Sequence, residues 1–147
     1  MTITPTTPTI ATIPASAPAV KAVNKKPAKA VRQVPHAHAY IQSTFNNTIV
    51  SLADQNGDVL GWASAGMTGF KGPKKATPYA AGQVVKRVVD ATKAYGVKEV
   101  NVFVKGIGGG REGAIRAFNI NNINVLSVKD ITPIPHNGCR PKRRRRV

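Results

Sequence analysis

The chain has 147 residues, in which 22 Lys and Arg stand against 6 Asp and Glu and give a formal net charge of +16. A one-sided charge of this size repels itself in a compact chain, so it indicates a polyanionic partner, most simply a nucleic acid, with an anionic membrane surface as the alternative. The length suits a single domain, no apolar run approaches the roughly 20 residues of a membrane-spanning helix, and the lone cysteine, Cys139, excludes an internal disulfide.

Residues 1–35 are predicted to form a disordered basic arm. They hold six of the 11 prolines and five basic residues, but neither an acid nor a glycine. Because they carry little bulky apolar surface, they cannot offset the entropy lost on folding, and we expect them to become ordered on RNA. A transit peptide is the alternative, since such peptides also lack acids and are rich in hydroxyl residues. It would direct the protein to an organelle instead of the cytoplasm.

Residues 36–132 carry all six acids and are predicted to fold as one α/β domain. Two strands, over residues 38–45 and 48–54, are predicted around a tight hairpin at Asn46-Asn47, because asparagine tolerates the positive φ that such turns need. The pair Asn56-Gly57 predicts a second hairpin, which leads into a strand over residues 59–65.

A glycine-punctuated loop follows, with Gly66, Gly69 and Gly72 at every third position. Thr77 and Pro78 then open a helix as the N-cap and the first-turn residue, and we expect this helix to be closed by Gly96. Its predicted buried stripe repeats at helical spacing and comprises Ala81, Val84, Val85, Val88, Ala91 and Tyr95.

The last part of the domain is predicted as strand, helix and strand. Val100, Val102 and Val104 alternate with Asn101 and Phe103, which is typical of a strand. Residues 106–110 bridge to a short helix over residues 111–119, and residues 124–131 form the last strand. The order β-β-β-α-β-α-β joins the later strands by helical crossovers and makes them parallel. The predicted fold is a five-stranded mixed sheet with packed helices.

Residues 133–147 are predicted to form an extended basic tail. Prolines oppose helix formation there, and six of the last eight residues are basic. Like charges at this density repel one another unless phosphates lie between them, so the tail is predicted to bind RNA.

Residues 108–113 satisfy the G-x-G-x-x-G pattern after a predicted strand, and Asp130 lies at the spacing expected for a ribose contact. A nucleotide-dependent oxidoreductase is one interpretation, although too little chain follows for a doubly wound domain. A phosphate-binding turn is favoured, because free N–H groups at a helix start attract phosphate and because Lys105, Arg111 and Arg116 lie nearby. A purely structural glycine turn is the remaining alternative.

The loop that carries Phe70, Lys71, Lys74 and Lys75 offers cations to phosphates. Phe70 either stacks on an exposed base or packs back on the core, and the sequence favours neither arrangement. The loop is therefore a second candidate contact with nucleic acid.

The titratable residues predict neither a metal site nor catalysis. The three histidines and Cys139 match no compact zinc spacing. Asp54 and Asp58 flank a hairpin turn, Glu112 lies in the first turn of a helix, and no pair is placed for general acid–base catalysis. We therefore expect no enzyme activity, no cofactor and no resident metal.

Five stretches carry a resemblance to a known family: Ser43-Thr44-Phe45-Asn46-Asn47-Thr48-Ile49-Val50, Gly61-Trp62-Ala63, Thr77-Pro78-Tyr79-Ala80-Ala81, Arg111-Glu112 and Asp130-Ile131-Thr132-Pro133-Ile134-Pro135-His136-Asn137-Gly138-Cys139-Arg140-Pro141. From about residue 38 to its end, the chain resembles the family of protein eleven of the small ribosomal subunit, bacterial type. This family usually shows prolines within the glycine turn, where the chain has Ile107 and Gly109.

The resemblance implies a ribonuclease-H-like α/β sheet without that enzyme's acids, and the first strand indeed carries Tyr40 and Gln42 where a catalytic carboxylate would be needed. It implies a structural role on the platform of the small subunit, bound to the central domain of its ribosomal RNA. It also implies a position near the messenger exit path and contacts with neighbouring ribosomal proteins. A DNA-compacting protein is the alternative among nucleic-acid binders.

The residues expected to face RNA, from their charge and from the resemblance together, are Phe45, Asn46, Asn47, Phe70, Lys71, Lys74, Lys75, Lys105, Gly108, Gly110, Arg111, Arg116, His136, Asn137, Arg140, Lys142, Arg143, Arg144, Arg145 and Arg146.

Overall fold

The computed structural model describes residues 32–143, and residues 1–31 of the predicted arm lie outside them. The strands are β1 (His36–Ser43), β2 (Thr48–Ala53), β3 (Val59–Ser64), β4 (Glu99–Lys105) and β5 (Asn124–Asp130). The helices are α1 (Pro78–Thr92) and α2 (Gly110–Ile120), and two 3-10 turns, Gly72–Ala76 and Lys93–Tyr95, precede and follow α1. The five strands form one mixed sheet, as predicted.

The sheet has the strand order β3-β2-β1-β4-β5. Hairpins make β2 antiparallel to both β1 and β3. By contrast, β4 pairs parallel to β1, and β5 pairs parallel to β4. As a consequence, β1, β3, β4 and β5 all end on the same side of the sheet. We call this side the carboxyl end of the sheet and the opposite side its amino end.

The hydrophobic core lies between one face of the sheet and the two helices. Alternate residues of β1 and β4 point into it, so that Ile41, Val100 and Val102 are almost fully buried, and Phe118 of α2 is fully buried. The same period-2 alternation places aromatic side chains on the other face, where the rings of Tyr40 and Phe103 stack with their centroids 5.2 Å apart. Within residues 32–143 neither helix has the length and apolar character needed to cross a lipid bilayer.

The first hairpin differs from the prediction. β1 ends at Ser43, two residues earlier than expected, and residues 44–47 form a longer loop. The Thr44 hydroxyl accepts hydrogen bonds from the backbone N–H of Asn46 at 3.3 Å and of Asn47 at 3.1 Å. Neither asparagine is among the described residues with positive φ. The backbone N–H of Thr44 also donates to the carbonyl oxygen of Asn47 at 2.9 Å. The prediction of a tight turn with positive φ at the asparagines was therefore wrong, because the backbone and the side chain of Thr44 together close the loop.

The buried stripe of α1 is confirmed in part. Val84, Val85 and Val88 are fully buried as predicted, but Ala91 is exposed. Thr92 is buried in its place, and its hydroxyl donates to the carbonyl oxygen of Val88 at 2.9 Å. The stripe is wider than a single row because α1 packs against α2 as well as against the sheet. Gly96, with a φ of +67°, closes the segment as predicted.

Candidate nucleic-acid interface

Four segments that are far apart in the sequence meet at the carboxyl end of the sheet. We name them the hairpin loop (residues 44–47), the lysine loop (residues 65–77), the glycine turn (residues 106–110) and the tail (residues 131–147, of which 131–143 are described). Backbone hydrogen bonds tie the lysine loop to β2 (Ala65 to Thr48, 3.0 Å) and the glycine turn to β1 (Gly108 to Ser43, 3.1 Å). The N–H of Gly106 donates to the Thr132 hydroxyl at 3.1 Å and so joins the glycine turn to the tail.

The hairpin loop presents an aromatic ring to solvent. The Phe45 side chain is 72% exposed, Asn46 is exposed and Asn47 is half-buried. An exposed phenylalanine has lost the favourable burial that it would gain in a core, whereas a flat ring beside amide groups suits an unpaired base. The predicted residues of this loop therefore lie together on an accessible surface.

The lysine loop is not irregular throughout, because residues 72–76 form a 3-10 turn that was not predicted. Lys71 and Lys74 are exposed and Lys75 is half-buried. Phe70 packs against the core and meets the ring of Tyr79 edge to face, with centroids 5.9 Å apart. Core packing is thus the observed arrangement of Phe70.

Tyr79 is an exposed aromatic residue of this region that the sequence reasoning did not single out. Its side chain is 68% exposed in the first turn of α1. The available signal was its position two residues before Ala81, which at helical spacing is on the side of α1 opposite the predicted buried stripe.

The glycine turn packs tightly on the chain itself. Gly108 and Gly110 are buried. A Cβ atom on Gly108 would lie 2.5 Å from the Ser43 hydroxyl, and one on Gly110 would lie 3.1 Å from the same oxygen. These two glycines therefore allow the turn to approach β1, which is the structural role left open above. Ile107 and Gly109 are the exposed residues of the turn.

Arg111 is held inside the protein surface rather than left free. Its guanidinium donates to the carbonyl oxygen of Gly106 at 2.9 Å and forms an ion pair with Asp130. The Asp130 carboxylate also accepts hydrogen bonds from the hydroxyl of Thr132 at 2.5 Å and from its backbone N–H at 2.9 Å. The Thr132 hydrogen bonds, followed by that from Arg111, lower the pKa of Asp130 to about 2.

These contacts occupy the groups that a dinucleotide would need. Asp130 is engaged by Arg111 and Thr132, and a Cβ on Gly113 would come within 2.9 Å of Cα of Pro78. The G-x-G-x-x-G pattern is therefore used to pack α2 against α1 and β1. Within residues 32–143 no three His, Cys, Asp or Glu side chains lie close enough to share a metal ion.

The remaining predicted cations lie on open surface. Lys105 is exposed at the end of β4, and Arg116 is exposed on α2, where it pairs with Glu112 one turn earlier. The described part of the tail contains neither helix nor strand. It exposes His136, Asn137, Arg140, Lys142 and Arg143, whereas Arg144, Arg145 and Arg146 lie outside the described residues.

Charge is distributed unevenly along the strand direction. Of the acids, Asp54 (3.0 Å from Arg32), Glu99 (2.9 Å from His36) and Asp90 (2.7 Å from Lys93) lie toward the amino end, as does Asp58 in the β2–β3 turn. The two acids at the carboxyl end, Glu112 and Asp130, are each paired with an arginine. In the part of the chain that the structure describes, the carboxyl end therefore keeps a positive excess that attracts phosphates.

Comparison with known proteins identifies what the chain is similar to. The model of a family described as "Ribosomal protein S11" matches residues 37–146. A protein of Hamiltonella defensa subsp. Acyrthosiphon pisum (strain 5AT), named small ribosomal subunit protein uS11, is 52% identical over 116 residues, which cover 79% of this chain and 90% of the relative. A protein of the same name from Francisella tularensis subsp. mediasiatica (strain FSC147) is 49% identical over 127 residues, covering 86% of this chain and 98% of the relative.

Proposed function

This chain belongs to the ribosomal protein S11 family, and we propose that the carboxyl end of its sheet is the surface with which it binds ribosomal RNA. Both relatives are named as proteins of the small ribosomal subunit. On this basis the chain is a structural, RNA-binding protein of that subunit, with a role in translation, and not an enzyme. Its partners are ribosomal RNA and neighbouring ribosomal proteins.

The observation that carries the proposal is the convergence of the hairpin loop, lysine loop, glycine turn and tail on one end of the sheet. The hairpin loop contributes an aromatic ring and amides, the lysine loop and the tail contribute exposed cations, and hydrogen bonds join the glycine turn to β1 and to the tail. Lysine and arginine that neutralise phosphates release condensed counterions, which supplies much of the affinity of such proteins. A surface with two basic segments, the lysine loop and the tail, and with Lys105 between them in the sequence suits RNA strands that would otherwise repel one another.

The segments have different proposed roles. Phe45 stacks on an unpaired base, with Asn46 and Asn47 beside it, while Lys71, Lys74, Lys75 and Lys105 contact phosphates. Gly108 and Gly110 contribute through the close packing that shapes the turn, and Arg111 through the fixed position of its guanidinium. Arg116 and the basic residues of the tail, including Arg144, Arg145 and Arg146, extend the surface. Phe70 has the weakest support, because its ring packs on the core.

The location within the subunit is proposed from the residues shared with the family. We place the chain on the platform, bound to the central domain of the ribosomal RNA, near the messenger exit path of a cytoplasmic ribosome. The basic composition of residues 1–35 supports an arm that adds further RNA contacts. The transit-peptide alternative predicts that mature protein from ribosomes lacks this segment, which N-terminal sequencing would detect.

Sedimentation of the tagged chain from lysed cells tests the proposal. In a sucrose gradient at moderate salt with magnesium, the protein should travel stoichiometrically with the small subunit, and crosslinking should recover central-domain RNA. Protein that stays at the top of the gradient, or that crosslinks to DNA as readily as to ribosomal RNA at the same salt, would show that the assignment is wrong for this chain.

Two matched pairs of substitutions test the surface itself. Lys74→Gln with Lys75→Gln removes two charges from the carboxyl end, whereas Lys93→Gln with Lys98→Gln removes two from the amino end. If the carboxyl end contacts phosphates, the first pair should lower the salt concentration at which the protein leaves the subunit and should flatten the salt dependence by about 1 to 2 in log–log slope. The second pair should leave both nearly unchanged. Equal effects of the two pairs would mean that only net charge matters.

A further inference from the structure

Asp130 forms an unusual set of contacts for the last residue of a strand. The backbone of the next residue, Ile131, still pairs with β4 through Val104 at 2.8 Å, after which the tail leaves the sheet. One carboxylate oxygen of Asp130 accepts both the hydroxyl (2.5 Å) and the backbone N–H (2.9 Å) of Thr132, and the other oxygen pairs with Arg111. The carboxylate therefore holds the first residue of the tail that no longer belongs to the sheet.

The contacts close into a ring. Arg111 donates to the carbonyl oxygen of Gly106 at 2.9 Å, and the N–H of Gly106 donates to the Thr132 hydroxyl at 3.1 Å. Asp130, Thr132, Gly106 and Arg111 thus join the end of β5, the start of the tail, the glycine turn and the first turn of α2. Two of the segments proposed to contact RNA are fixed relative to each other by this ring.

The ring contributes little to the stability of the domain. The side chains of Arg111 and Asp130 are 34% and 50% exposed, and partly exposed ion pairs are strongly screened by solvent. Its main effect is on the direction in which the tail leaves the sheet. Beyond Thr132 all described residues of the tail are exposed and outside helix or strand, so the path of the tail depends on the last residue that is held. Holding a binding segment in its bound orientation lowers the entropy lost on association.

A second argument comes from charge. Asp130 places a negative charge at the end of the sheet that is proposed to approach phosphates, where a carboxylate by itself opposes binding. Arg111 pairs with it, and Lys105 and the basic tail lie at the same end of the sheet. A carboxylate in that position is expected only if what it holds in place outweighs the repulsion.

We propose that Asp130 is a positioning residue for RNA binding: through Thr132 and Arg111 it fixes the direction in which the basic tail leaves the domain. The inference rests on the proposed function, because it assumes that the tail binds RNA. It also predicts a change in binding opposite to the one that net charge alone would produce. Loss of the Asp130 charge should weaken binding to the subunit, although the protein becomes more positive.

The test compares Asp130→Asn with Glu112→Gln. Both replace a carboxylate that pairs with an arginine at the carboxyl end by its amide, so the change in charge is the same. Each variant carries one tag and is co-expressed with wild-type protein that carries another, and the ratio of the two is measured in small subunits washed at increasing salt. At the salt that releases half of the wild type, Asp130→Asn should be retained about threefold to tenfold less. Glu112→Gln should be retained as well as the wild type or better.

The same substitution in a protein whose tail has lost three charges distinguishes a positioning role of Asp130 from damage to the domain. With Arg140→Gln, Lys142→Gln and Arg143→Gln already present, the additional effect of Asp130→Asn should fall below about twofold, because the tail no longer contributes as much. Thr132→Val provides an independent variant that leaves the charge unchanged but removes the hydroxyl at the centre of the ring, and it should weaken retention in the same direction. Circular dichroism should show an intact fold for all of them.

The outcomes are distinguishable. Equal retention of Asp130→Asn and Glu112→Gln would overturn the inference. An equal loss from Asp130→Asn in the wild-type background and in the background with three tail charges removed would overturn it as well. If the wild-type protein itself does not sediment with the small subunit, the proposed function fails instead.

Discussion

The two helices start side by side at the carboxyl end of the sheet, but different interactions determine where they start. At α1 the Thr77 hydroxyl accepts a hydrogen bond from the N–H of Ala80 at 3.2 Å, and Pro78 occupies the first turn. At α2 the N-cap is Gly109, which has no side chain to offer. There the start is determined by close packing, of Gly110 on β1 and β2 and of Gly113 on Pro78. A locally capped helix start should tolerate changes in its neighbours, whereas a packed one should not.

The largest expected effect is that of Gly110→Ala. The added Cβ would overlap the Thr48 hydroxyl and lie 3.1 Å from that of Ser43 and 3.3 Å from Cβ of Ala81, and all three residues are fully buried. Overpacking of this kind should lower the free energy of unfolding by about 3 kcal/mol, as measured by urea denaturation. Gly109→Ala is the control, since the nearest atom to its Cβ would be 3.9 Å away. A loss of less than about 1 kcal/mol for Gly110→Ala would show that α2 can shift its start.

Gly113→Ala should have the next largest effect. Its Cβ would lie 2.5 Å from the carbonyl oxygen of Pro78 and 2.9 Å from its Cα, so the backbones of the two helices would have to separate. We expect a loss of about 2 kcal/mol in the free energy of unfolding.

Gly82→Ala on α1 makes the same replacement where there is room, because the nearest atom would be Cβ of Ala117 at 4.0 Å. It should stabilise the protein by about 0.5–1 kcal/mol through helix propensity. If Gly82→Ala and Gly113→Ala changed the free energy of unfolding in the same direction, the contrast between an unpacked and a packed glycine would be wrong.

At the locally determined start, Thr77→Ala removes the side-chain cap of α1. The Ala80 N–H loses its partner, and the free energy of unfolding should fall by about 1 kcal/mol in thermal or chemical denaturation. Thr77→Ser keeps the hydroxyl and should recover most of the loss. If serine were as damaging as alanine, the threonine methyl group and not the cap would be responsible.

A smaller and opposite effect is expected from Gly109→Pro. Gly109 has φ −65° and ψ −12°, and φ near −65° is the value that proline requires. The substitution should raise the free energy of unfolding by about 0.5 kcal/mol, because it restricts the unfolded chain. A lower midpoint in thermal denaturation would show that the N–H of Gly109 or the conformation of Gly108 matters more than the entropy.

The smallest effect concerns pH. Hydrogen bonds from Thr132 and Arg111 lower the pKa of Asp130 from 3.8 to about 2, so the folded protein binds this proton less readily than the unfolded chain. The resulting stabilisation is present above pH 3.8 and is lost as the pH falls toward 2. Asp130→Asn should therefore flatten the decrease in unfolding midpoint over this range. If the midpoint of Asp130→Asn depended on pH as that of the wild type does, the hydrogen bonds from Thr132 and Arg111 to Asp130 would not persist in solution.

Much of the fold could be predicted because its signals are local. Alternating valines over residues 100–104 indicate a strand with one buried face, and the crossovers through two helices require β4 and β5 to be parallel to β1. Thr77, Pro78 and Gly96 mark the limits of the segment around α1. The hairpin loop was mispredicted because two rules competed for the same residues: hydrogen bonds between Thr44 and the backbone of Asn47 close the loop, without a positive φ at either asparagine.

The candidate site was only partly predictable. The sequence pointed to exposed cations and to Phe45, since charge and composition are visible in it. It also predicted that Arg111 faces RNA phosphate, and that Phe70 was equally able to stack or to pack. In the structure Arg111 is engaged by Gly106 and Asp130, and Phe70 packs against the core and Tyr79. These contacts depend on how the glycine turn, the lysine loop, the helices and β5 pack together, and no local pattern records such distances.

The sequence by itself determined the polyanionic class of partner, the order of strands and helices, and the buried face of β4. These follow from net charge, hydrophobic period and capping residues, which can be read without knowing the distant contacts. The tertiary structure alone decided that four separate segments meet at one end of the sheet, and that the glycines at the start of α2 serve close packing. The physical reason is that parallel pairing brings strand ends together from anywhere in the chain, and steric fit exists only once the packed neighbours are in place.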